Sequence, residues 1–382
     1  MIDSGVVNAT QEVAIQWLRE GRRFVQALLV EVEGSAPLPE GAMLVVDEAG
    51  MIEGSITGGC VEGAVVTEAE TIFAQAGAPK LVTYGISDEL AGTVGLMCGG
   101  IVHIFIQCLD GSDAAAEAEL AVLEAHADGR PAALATLLEG PSAGSRLAVV
   151  DDQVIGSLGA ADLLDRNVER EARGLLAEGK TTVRRFGADG ATLGDDLPVH
   201  IRSFAPPPRM YIFGAIDFSA ALAPFAAQIG YEVTICDARE SFVRSSRFSS
   251  AAHVEVGWPQ ELMRDVQLGP RDAVLVFTHD PKFDEPALVA ALGTGAGYIG
   301  ALGSRQTTAD RDQRLRRAGV DDRSLERVHA PCGLDIGSRT AEETAVSVLA
   351  EIIASRAERA GTPLRETEGP IHRRNGDGGA SE

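Results

Sequence analysis

The sequence predicts an α/β protein with two domains: a mixed α/β domain with an internal repeat, followed by a doubly wound parallel sheet. Its 382 residues are too many for one ordinary core. Three consecutive prolines at 206–208 mark a boundary, because proline continues neither a helix nor a central strand. Beyond them, short apolar runs alternate with helical patterns, which is typical of a doubly wound sheet. We therefore expect domains over 1–205 and 209–358, and a disordered, charged and glycine-rich tail over 361–382.

The N-terminal domain is predicted to begin with a helix, a strand and a β-hairpin. Asn8 or Thr10 is a suitable N-cap for a helix that runs to about Glu20. The apolar run over 24–32 predicts a buried strand. Residues 42–46 and 51–55 flank a turn-type segment, so a hairpin leads into the motif that follows.

That motif is glycine-rich and places Cys60 at the start of a helix. Gly58 and Gly59 precede the cysteine, and apolar residues recur at three- and four-residue spacing from Val61 to residue 76. At a helix start, unpaired N–H groups and the helix dipole favour an anion, which lowers a thiol pKa and can also hold a phosphate. The alternative is a tight turn beside a buried cysteine that has no chemical role.

A second glycine and cysteine cluster, formed by Cys98, Gly99 and Gly100, precedes a strong strand over 101–107. If the fold brings Cys60 and Cys98 together, they form a shared pocket that carries two thiols. The alternative is that both are unrelated turn residues, and the spacing alone does not distinguish the two.

The domain is predicted to contain two copies of one unit, over about 22–108 and 131–204. Residues 27–35 resemble 133–141, 42–47 resemble 146–151, and 52–55 match 154–157. In the second copy, residues 160–162 (Ala-Ala-Asp) replace the Gly-Gly-Cys of the first, so we expect the first copy to carry the chemistry. The alternative is that two hairpins merely share a composition.

The C-terminal domain is predicted to have a Rossmann-like alternation of strands and helices. The predicted strands are 210–213, 232–236, 253–256, 273–278, 298–302 and 327–330. Gly214 starts a turn where a dinucleotide-binding fingerprint belongs, but Ile216 replaces the glycine that lets the backbone approach a pyrophosphate. Asp237 follows where a ribose-binding acid is expected. We therefore expect weak or altered NAD(P) binding, or none.

Polar residues follow the later strands of this domain, where open α/β sheets bind ligands. Arg305 could bind an anion at a helix start, and His279 could transfer a proton or bind a metal. A structural role is favoured for His279. Cys332 lies in a third segment of this kind, over 331–335.

Composition excludes several functional classes. The formal net charge of −23 disfavours binding to nucleic acid or to an anionic membrane surface. No apolar run is long enough to span a membrane, and the start of the chain lacks a signal pattern, so we expect a cytoplasmic protein. The five cysteines are scattered, which fits neither a disulfide framework nor a metal site.

Taken together, these motifs resemble the XdhC/CoxI family. The resemblance rests on residues 34–37, 54–62 and 98–100 in the N-terminal domain, and on 237–239, 278–280, 298–305 and 331–337 in the C-terminal domain. This family consists of accessory factors for molybdenum hydroxylases such as xanthine dehydrogenase and carbon monoxide dehydrogenase. The resemblance implies a chaperone that binds molybdenum cofactor and assists its sulfuration and insertion.

The resemblance also implies roles for individual residues. Cys60 and Cys98 become candidates for handling the cofactor. The surrounding residues implied to bind it are Gly58, Gly59, Glu62, Gly99 and Gly100. The expected partners are a hydroxylase client and a sulfur donor enzyme, and we expect a homo-oligomer. The family usually has Gly-Ala-Gly-His at 214–217, so Ile216 and Asp217 depart from its pattern.

Two other functional classes remain open. One is an NAD(P)-dependent oxidoreductase, which Ile216 disfavours and whose iron–sulfur version would need clustered cysteines. The other is a scaffold that binds the hydroxylase without touching its cofactor. Whether the chain is an enzyme is left open, with a maturation chaperone favoured.

Overall fold

The structure, a computed structural model, describes residues 8–34, 36–59, 61–75, 77–85, 100–243, 246–248 and 253–368. It divides into two compact units between Pro206 and Pro207. The predicted site residues Cys60, Cys98 and Gly99 lie outside the described residues, as does the predicted tail beyond 368. The described part of that tail includes a 3-10 turn over Leu364–Glu366.

The first unit contains four helices and ten strands within the described ranges. The helices are α1 (Ala9–Arg19), α2 (Glu62–Gln75), α3 (Ala114–Ala127) and α4 (Asp162–Glu178). The strands are β1 (Phe24–Glu33), β2 (Met43–Asp47), β3 (Ile52–Gly54), β4 (Lys80–Tyr84), β5 (Ile101–Leu109), β6 (Ala132–Leu137), β7 (Arg146–Val150), β8 (Gln153–Gly156), β9 (Thr182–Phe186) and β10 (Leu197–Phe204). The first helix begins with a capping box in which Asn8 and Gln11 bond reciprocally.

These strands form two five-stranded antiparallel sheets with equivalent connections. The first sheet has the order β3-β2-β1-β5-β4, and the second has β8-β7-β6-β10-β9. In each, a helix follows the third strand, α2 in the first copy and α4 in the second. The predicted fold class, a mixed α/β domain with an internal repeat, is confirmed.

The hairpin register corrects one part of the predicted repeat. The sequence match aligned Leu44 with Ala148 and Gly54 with Gly156. In the structure Leu44 pairs with Gly54, whereas the residue that pairs with Gly156 is Leu147, so Leu147 is the true equivalent of Leu44. The match of the second strand was therefore wrong by one residue. Side chains alternate between the two faces of a strand, so a shift of one residue exchanges inner and outer positions.

Each sheet of the first unit is covered on both faces. Helix α2 packs on the outer face of the first sheet, through Val65 and Ile72 among others, and α4 covers the second sheet in the same way. A shared core joins the inner faces with α1 and α3. This double burial explains why the central strands are continuous apolar runs in the sequence.

A charged cluster lies within this shared core. Glu119 on α3 is fully buried and forms ion pairs with Arg146 and Arg202, both from the second sheet. Gln26 from the first sheet donates to Glu119 over 2.9 Å and accepts from Arg146 over 2.7 Å. The cluster therefore links the two copies through one carboxylate.

The second unit is a six-stranded parallel sheet with helices on both faces. Its strands are β11 (Arg209–Phe213), β12 (Glu232–Asp237), β13 (His253–Val256), β14 (Ala273–Val276), β15 (Tyr298–Ala301) and β16 (Val328–His329). Its helices are α5 (Asp217–Gln228), α6 (Glu240–Val243), α7 (Pro259–Leu262), α8 (Pro281–Leu292), α9 (Arg305–Arg317), α10 (Asp322–Leu325) and α11 (Ala341–Arg356), with a 3-10 turn over Ser246–Phe248.

The strand order is β13-β12-β11-β14-β15-β16, and all pairs are parallel. This is the order of a dinucleotide-binding doubly wound sheet. Helices α5 and α11 pack on one face, and α8 and α9 pack on the other. The predicted Rossmann-like class is confirmed. None of the helices in the described ranges has the length and apolar character needed to cross a membrane.

Candidate functional site

Described residues beside both cysteine positions continue from strands of the first sheet. Glu33, near the end of β1, pairs with Ile101 at the start of β5, so Gly34 and Gly100 lie at one edge. Gly54, at the end of β3, pairs with Leu44, which pairs in turn with Ala27 in the middle of β1. Both segments are thus attached to one sheet, and a shared pocket of Cys60 and Cys98 stays a prediction.

The glycine loop that follows β3 is organised around the carboxylate of Glu62. One carboxylate oxygen accepts from the Ser55 hydroxyl (2.7 Å) and from the amides of Ile56 (3.0 Å) and Thr57 (2.8 Å). The other oxygen accepts from the Thr57 hydroxyl (3.0 Å) and from the amides of Gly59 (2.9 Å) and Val61 (3.1 Å). A single side chain therefore receives six hydrogen bonds from its own loop.

These bonds keep Glu62 ionised. Partial burial alone would raise the pKa of this carboxyl group, but the hydrogen bonds from Ser55 and from the amides of Thr57 and Ile56 lower it to about 2. Hydrogen bonds to the charged form of a carboxyl group favour that form. The loop thus carries a permanent negative charge at its centre.

Glu62 occupies the position where a phosphate was expected. The Gly58 amide donates to the Ser55 hydroxyl over 2.9 Å, so each described amide from 56 to 61 has an acceptor within the loop. Gly58 and Gly59 are exposed and have positive φ angles of 74° and 115°. The loop offers an open backbone surface rather than free amide donors, and contact between Glu62 and a cofactor stays a prediction.

The second copy has a reduced form of this arrangement. Asp165 accepts from the Ser157 hydroxyl over 2.7 Å and from the Leu158 amide over 3.0 Å, and no other donor to it is found in the described residues. Sequence reasoning missed the roles of Ser55 and Ser157. The Gly-Ser pair that both copies retain after their hairpins was the available signal.

In the second unit, the predicted nucleotide residues meet at the carboxyl edge of the parallel sheet. Gly214 lies against the segment that follows β14, where an added Cβ would be 2.9 Å from Thr278 Cγ2. Asp237 is buried and accepts from the Ala215 amide over 2.9 Å. It also accepts two bonds from the Arg239 side chain, over 2.9 and 2.7 Å.

These contacts give Asp237 a structural role, in which it bonds to other residues of the protein. Both of its oxygens are engaged, which lowers the pKa of the carboxyl group against the effect of its burial. Arg247 also bonds to the start of α5, through Asp217 (2.6 Å) and the Ala215 carbonyl (3.1 Å). The turn that would approach a pyrophosphate is thus occupied by the side chains of the protein itself.

His279 and Arg305 are both exposed, at the N-terminal ends of α8 and α9. Beside them lies a buried cluster that the sequence did not suggest. The Thr278 hydroxyl donates to Asp284, which also faces the fully buried Arg311 at 3.5 Å. Burial raises the pKa of Asp284 to about 7 against the opposing effect of Arg311.

Another carboxylate, Glu351 on α11, bonds to residues of β15 and β16 and to the segment that follows β16. It accepts from the Tyr298 hydroxyl (2.5 Å), the Gly333 amide (2.6 Å) and the His329 ring (3.2 Å). Although partial burial opposes it, the bonds from His329 and Tyr298 lower the pKa of Glu351 to about 2. Cys332 is buried nearby, and burial raises the pKa of its thiol to about 12. Within the part of the chain that is described, no group of three or more acidic, histidine or cysteine side chains is placed to hold a metal ion.

Comparison with protein families gives matches in both units. The family described as "XdhC and CoxI family" matches residues 17–85 and 125–187, which contain β1–β4 and the equivalent β6–β9. The family described as "XdhC Rossmann domain" matches residues 210–352, which contain most of the parallel sheet.

Individual relatives are similar along most of the chain. A Bacillus subtilis protein, named as a probable subunit of xanthine dehydrogenase, is 29% identical over 89% of this chain and 95% of its own. The molybdenum cofactor insertion chaperone PaoD of Escherichia coli is 27% identical over 90% of this chain and 86% of its own. A solved Bacillus halodurans structure, described as a xanthine dehydrogenase, has the same fold with a TM-score of 0.60. It is 23% identical and covers 92% of this chain and 98% of that one.

Proposed function

Because the chain belongs to the XdhC and CoxI family, we propose that it is an accessory factor that binds molybdenum cofactor and assists its insertion into a molybdenum hydroxylase. The observation that carries this proposal is the match to an insertion chaperone along nearly the whole of both chains. We assign the client to the xanthine dehydrogenase or carbon monoxide dehydrogenase type. A sulfur donor enzyme would supply the cofactor's sulfur ligand.

The proposed binding site is formed by the loop that follows β3 and the segment that precedes β5, which contain Cys60 and Cys98. Exposed Gly58 and Gly59 let a flat pterin approach the backbone without meeting side chains. The thiolates of Cys60 and Cys98 would face the molybdenum or relay sulfur, since soft thiolates suit this chemistry. Glu62 stabilises the conformation of the loop, because its carboxylate oxygens bond to the loop amides.

The test is cofactor binding under reducing, anaerobic conditions. Molybdenum content and pterin fluorescence would be measured after incubation of the wild type and of Cys60→Ala and Cys98→Ala. Cys108→Ala is the matched control, because Cys108 lies half-buried in β5. We expect binding and transfer to fall in the first two variants and to be unchanged in the control. Transfer that is undiminished in both variants would count against the thiols.

Two alternatives make different predictions. An NAD(P)-dependent oxidoreductase is favoured only by the strand order of the second unit, and it requires submillimolar dinucleotide affinity in a calorimetric titration. We expect no such affinity, because Asp237 is engaged by Ala215 and Arg239. A scaffold would bind the hydroxylase equally well after loss of both cysteines and would bind no cofactor.

A further inference from the structure

A groove with a volume of about 720 Å³, which we call the α8 groove, runs along one face of α8 in the second unit. On α8 its lining residues recur at three- and four-residue spacing and so share one face of the helix: Lys282, Glu285, Pro286, Val289 and Ala290. The predicted nucleotide-binding residues of this unit do not line it. A volume of this size is typical of a small-molecule site.

The opposite wall of the α8 groove is the segment that contains and follows α7. The ring of Trp258, just before α7, lies 5.5 Å from the ring of Phe283 near the start of α8. Just past the end of α8, a Cβ added to Gly295 would lie 2.7 Å from the Leu268 carbonyl oxygen. The segment therefore follows α8 from its start to its end, and a helix of 12 residues is about 18 Å long. The groove is elongated.

The apolar lining of the α8 groove is aliphatic. It includes the buried Met263 together with Val266, Pro286 and Val289, and Val289 is 45% exposed, so a ligand can reach it from solvent. No aromatic side chain of the described residues lines the groove, so a flat ring would find no stacking partner. An elongated aliphatic surface that includes a flexible thioether suits an aliphatic chain.

The unpaired charges of the α8 groove are positive. Its charged lining residues in the described ranges are Arg264, Lys282 and Glu285. Glu285 is paired with Arg314 over 2.5 Å. Arg264 and Lys282 are exposed, and neither side chain has an ion pair or hydrogen bond within the part of the chain that is described. Lys282 also lies in the first turn of α8, where the helix dipole favours an anion.

From these features we infer that the α8 groove binds a single-chain aliphatic carboxylate, a ligand of the fatty-acid class. The aliphatic chain lies on Met263, Pro286 and Val289, and the carboxylate lies at the end of the groove that carries Lys282. The field of Arg264 adds to the attraction. The inference is independent of the proposed cofactor function, because the residues that line the groove all belong to the second unit.

Isothermal titration calorimetry of the full chain with octanoate tests this site, and octan-1-ol provides the same chain without the charge. We expect saturable binding of one octanoate per chain. Replacing both cations, in Arg264→Gln/Lys282→Gln, should weaken octanoate binding by about fivefold and octan-1-ol binding by less than about twofold, because exposed ion pairs are lost and the apolar lining is kept. A misfolded variant would instead lose both ligands.

A second variant tests the apolar lining. Val289→Asp should weaken the binding of both ligands by about tenfold, because a valine-sized apolar contact is lost. Val346→Asp is the matched control, since Val346 is a 48% exposed valine on α11, which packs on the other face of the sheet. Both ligands should bind this control as they bind the wild type.

The two tryptophans of the chain report where the ligand lies. Trp258 contacts Phe283, the neighbour of Lys282, whereas Trp17 is buried in the first unit. Octanoate should change the tryptophan emission, and Trp258→Phe should remove this change while calorimetric binding persists. An emission change that survives in Trp258→Phe would overturn the inference. Absence of saturable binding to the wild type, or octanoate affinity that is unchanged in Val289→Asp or in the double variant, would also overturn it.

Discussion

Replacing Glu62 by glutamine removes the charge at the centre of the glycine loop while nearly preserving the size of the side chain. The amide oxygen of glutamine can still accept from one set of donors. Its NH₂ group, however, would face the amides of Gly59 and Val61, which now donate to a carboxylate oxygen. The Gly59 amide therefore loses its acceptor, whereas the Val61 amide keeps a second one, the Thr57 hydroxyl oxygen at 3.2 Å.

Two routes give a similar magnitude for this loss. An unsatisfied donor costs about 1–3 kcal/mol when buried, and the low end applies here because Gly59 is exposed. Independently, the fall in the pKa of Glu62 from 4.5 to about 2 corresponds to roughly 3 kcal/mol. Solvent screening of a partly exposed group reduces this to about 1–2 kcal/mol. We expect Glu62→Gln to lower the free energy of unfolding of the first unit by about 1–2 kcal/mol.

Urea denaturation and amide hydrogen exchange would measure this effect. Exchange should accelerate most at Gly59, because its amide loses its acceptor, and less at Val61, whose amide still bonds to the Thr57 hydroxyl oxygen. Asp165→Asn is the matched control, since Asp165 accepts only from Ser157 and Leu158 among the described residues, and we expect a loss below about 1 kcal/mol. Equal losses in the two variants, or wild-type exchange rates in Glu62→Gln, would refute the reasoning.

Three further predictions concern stability. The pKa values of Glu62 and Glu351 are lowered to about 2 in the folded state, so their contribution to the free energy of unfolding is complete above the unfolded pKa of 4.5 and is lost as the pH falls toward 2. In acid unfolding, the stability of Glu351→Gln should therefore fall less steeply over that range than the stability of the wild type. Glu119→Leu leaves Arg146 and Arg202 buried without a carboxylate and should cost about 3–5 kcal/mol in urea denaturation; a loss below about 1 kcal/mol would contradict the ion-paired cluster. An added Cβ on Gly54 or Gly156 would overlap the carbonyl oxygen of Met43 or Arg146, whereas Gly50 has a similar positive φ and open space around it; thermal unfolding should therefore show a larger loss for Gly54→Ala and Gly156→Ala than for Gly50→Ala, for which about 1–2 kcal/mol is expected.

The secondary-structure elements that were predicted correctly are those with a strong pattern in a short stretch of sequence. The six strands of the second unit were each located to within a few residues, because a βαβ alternation depends on spacing within a short stretch. The repeat was recognised from its hairpins, but one strand was aligned a residue out of register. In strands that are buried on both faces, apolar residues occupy inner and outer positions alike, so the sequence does not show which face a residue occupies.

The candidate site was predicted less completely than the fold. The sequence placed Gly58 and Gly59 just before a helix and Glu62 in its first turn, since they are neighbours in the chain. It did not show that Glu62 turns back to accept six bonds from the glycine loop, because such bonding depends on the path of the backbone between Ser55 and Val61. Asp237 was likewise assigned to a ribose, whereas its contacts with Ala215 and Arg239 depend on the packing of adjacent strand ends.

The sequence by itself predicted two units and an internal repeat, because these predictions rest on periodicity and on the proline run along the chain. The family followed from the resemblance of its motifs. Only the tertiary structure decided which charges are enclosed and which surfaces are free. Glu119 meets Arg146 and Arg202 across the two sheets, and Val289 stays exposed in the α8 groove. Burial and pairing join residues that are distant in the chain, so local patterns do not encode them.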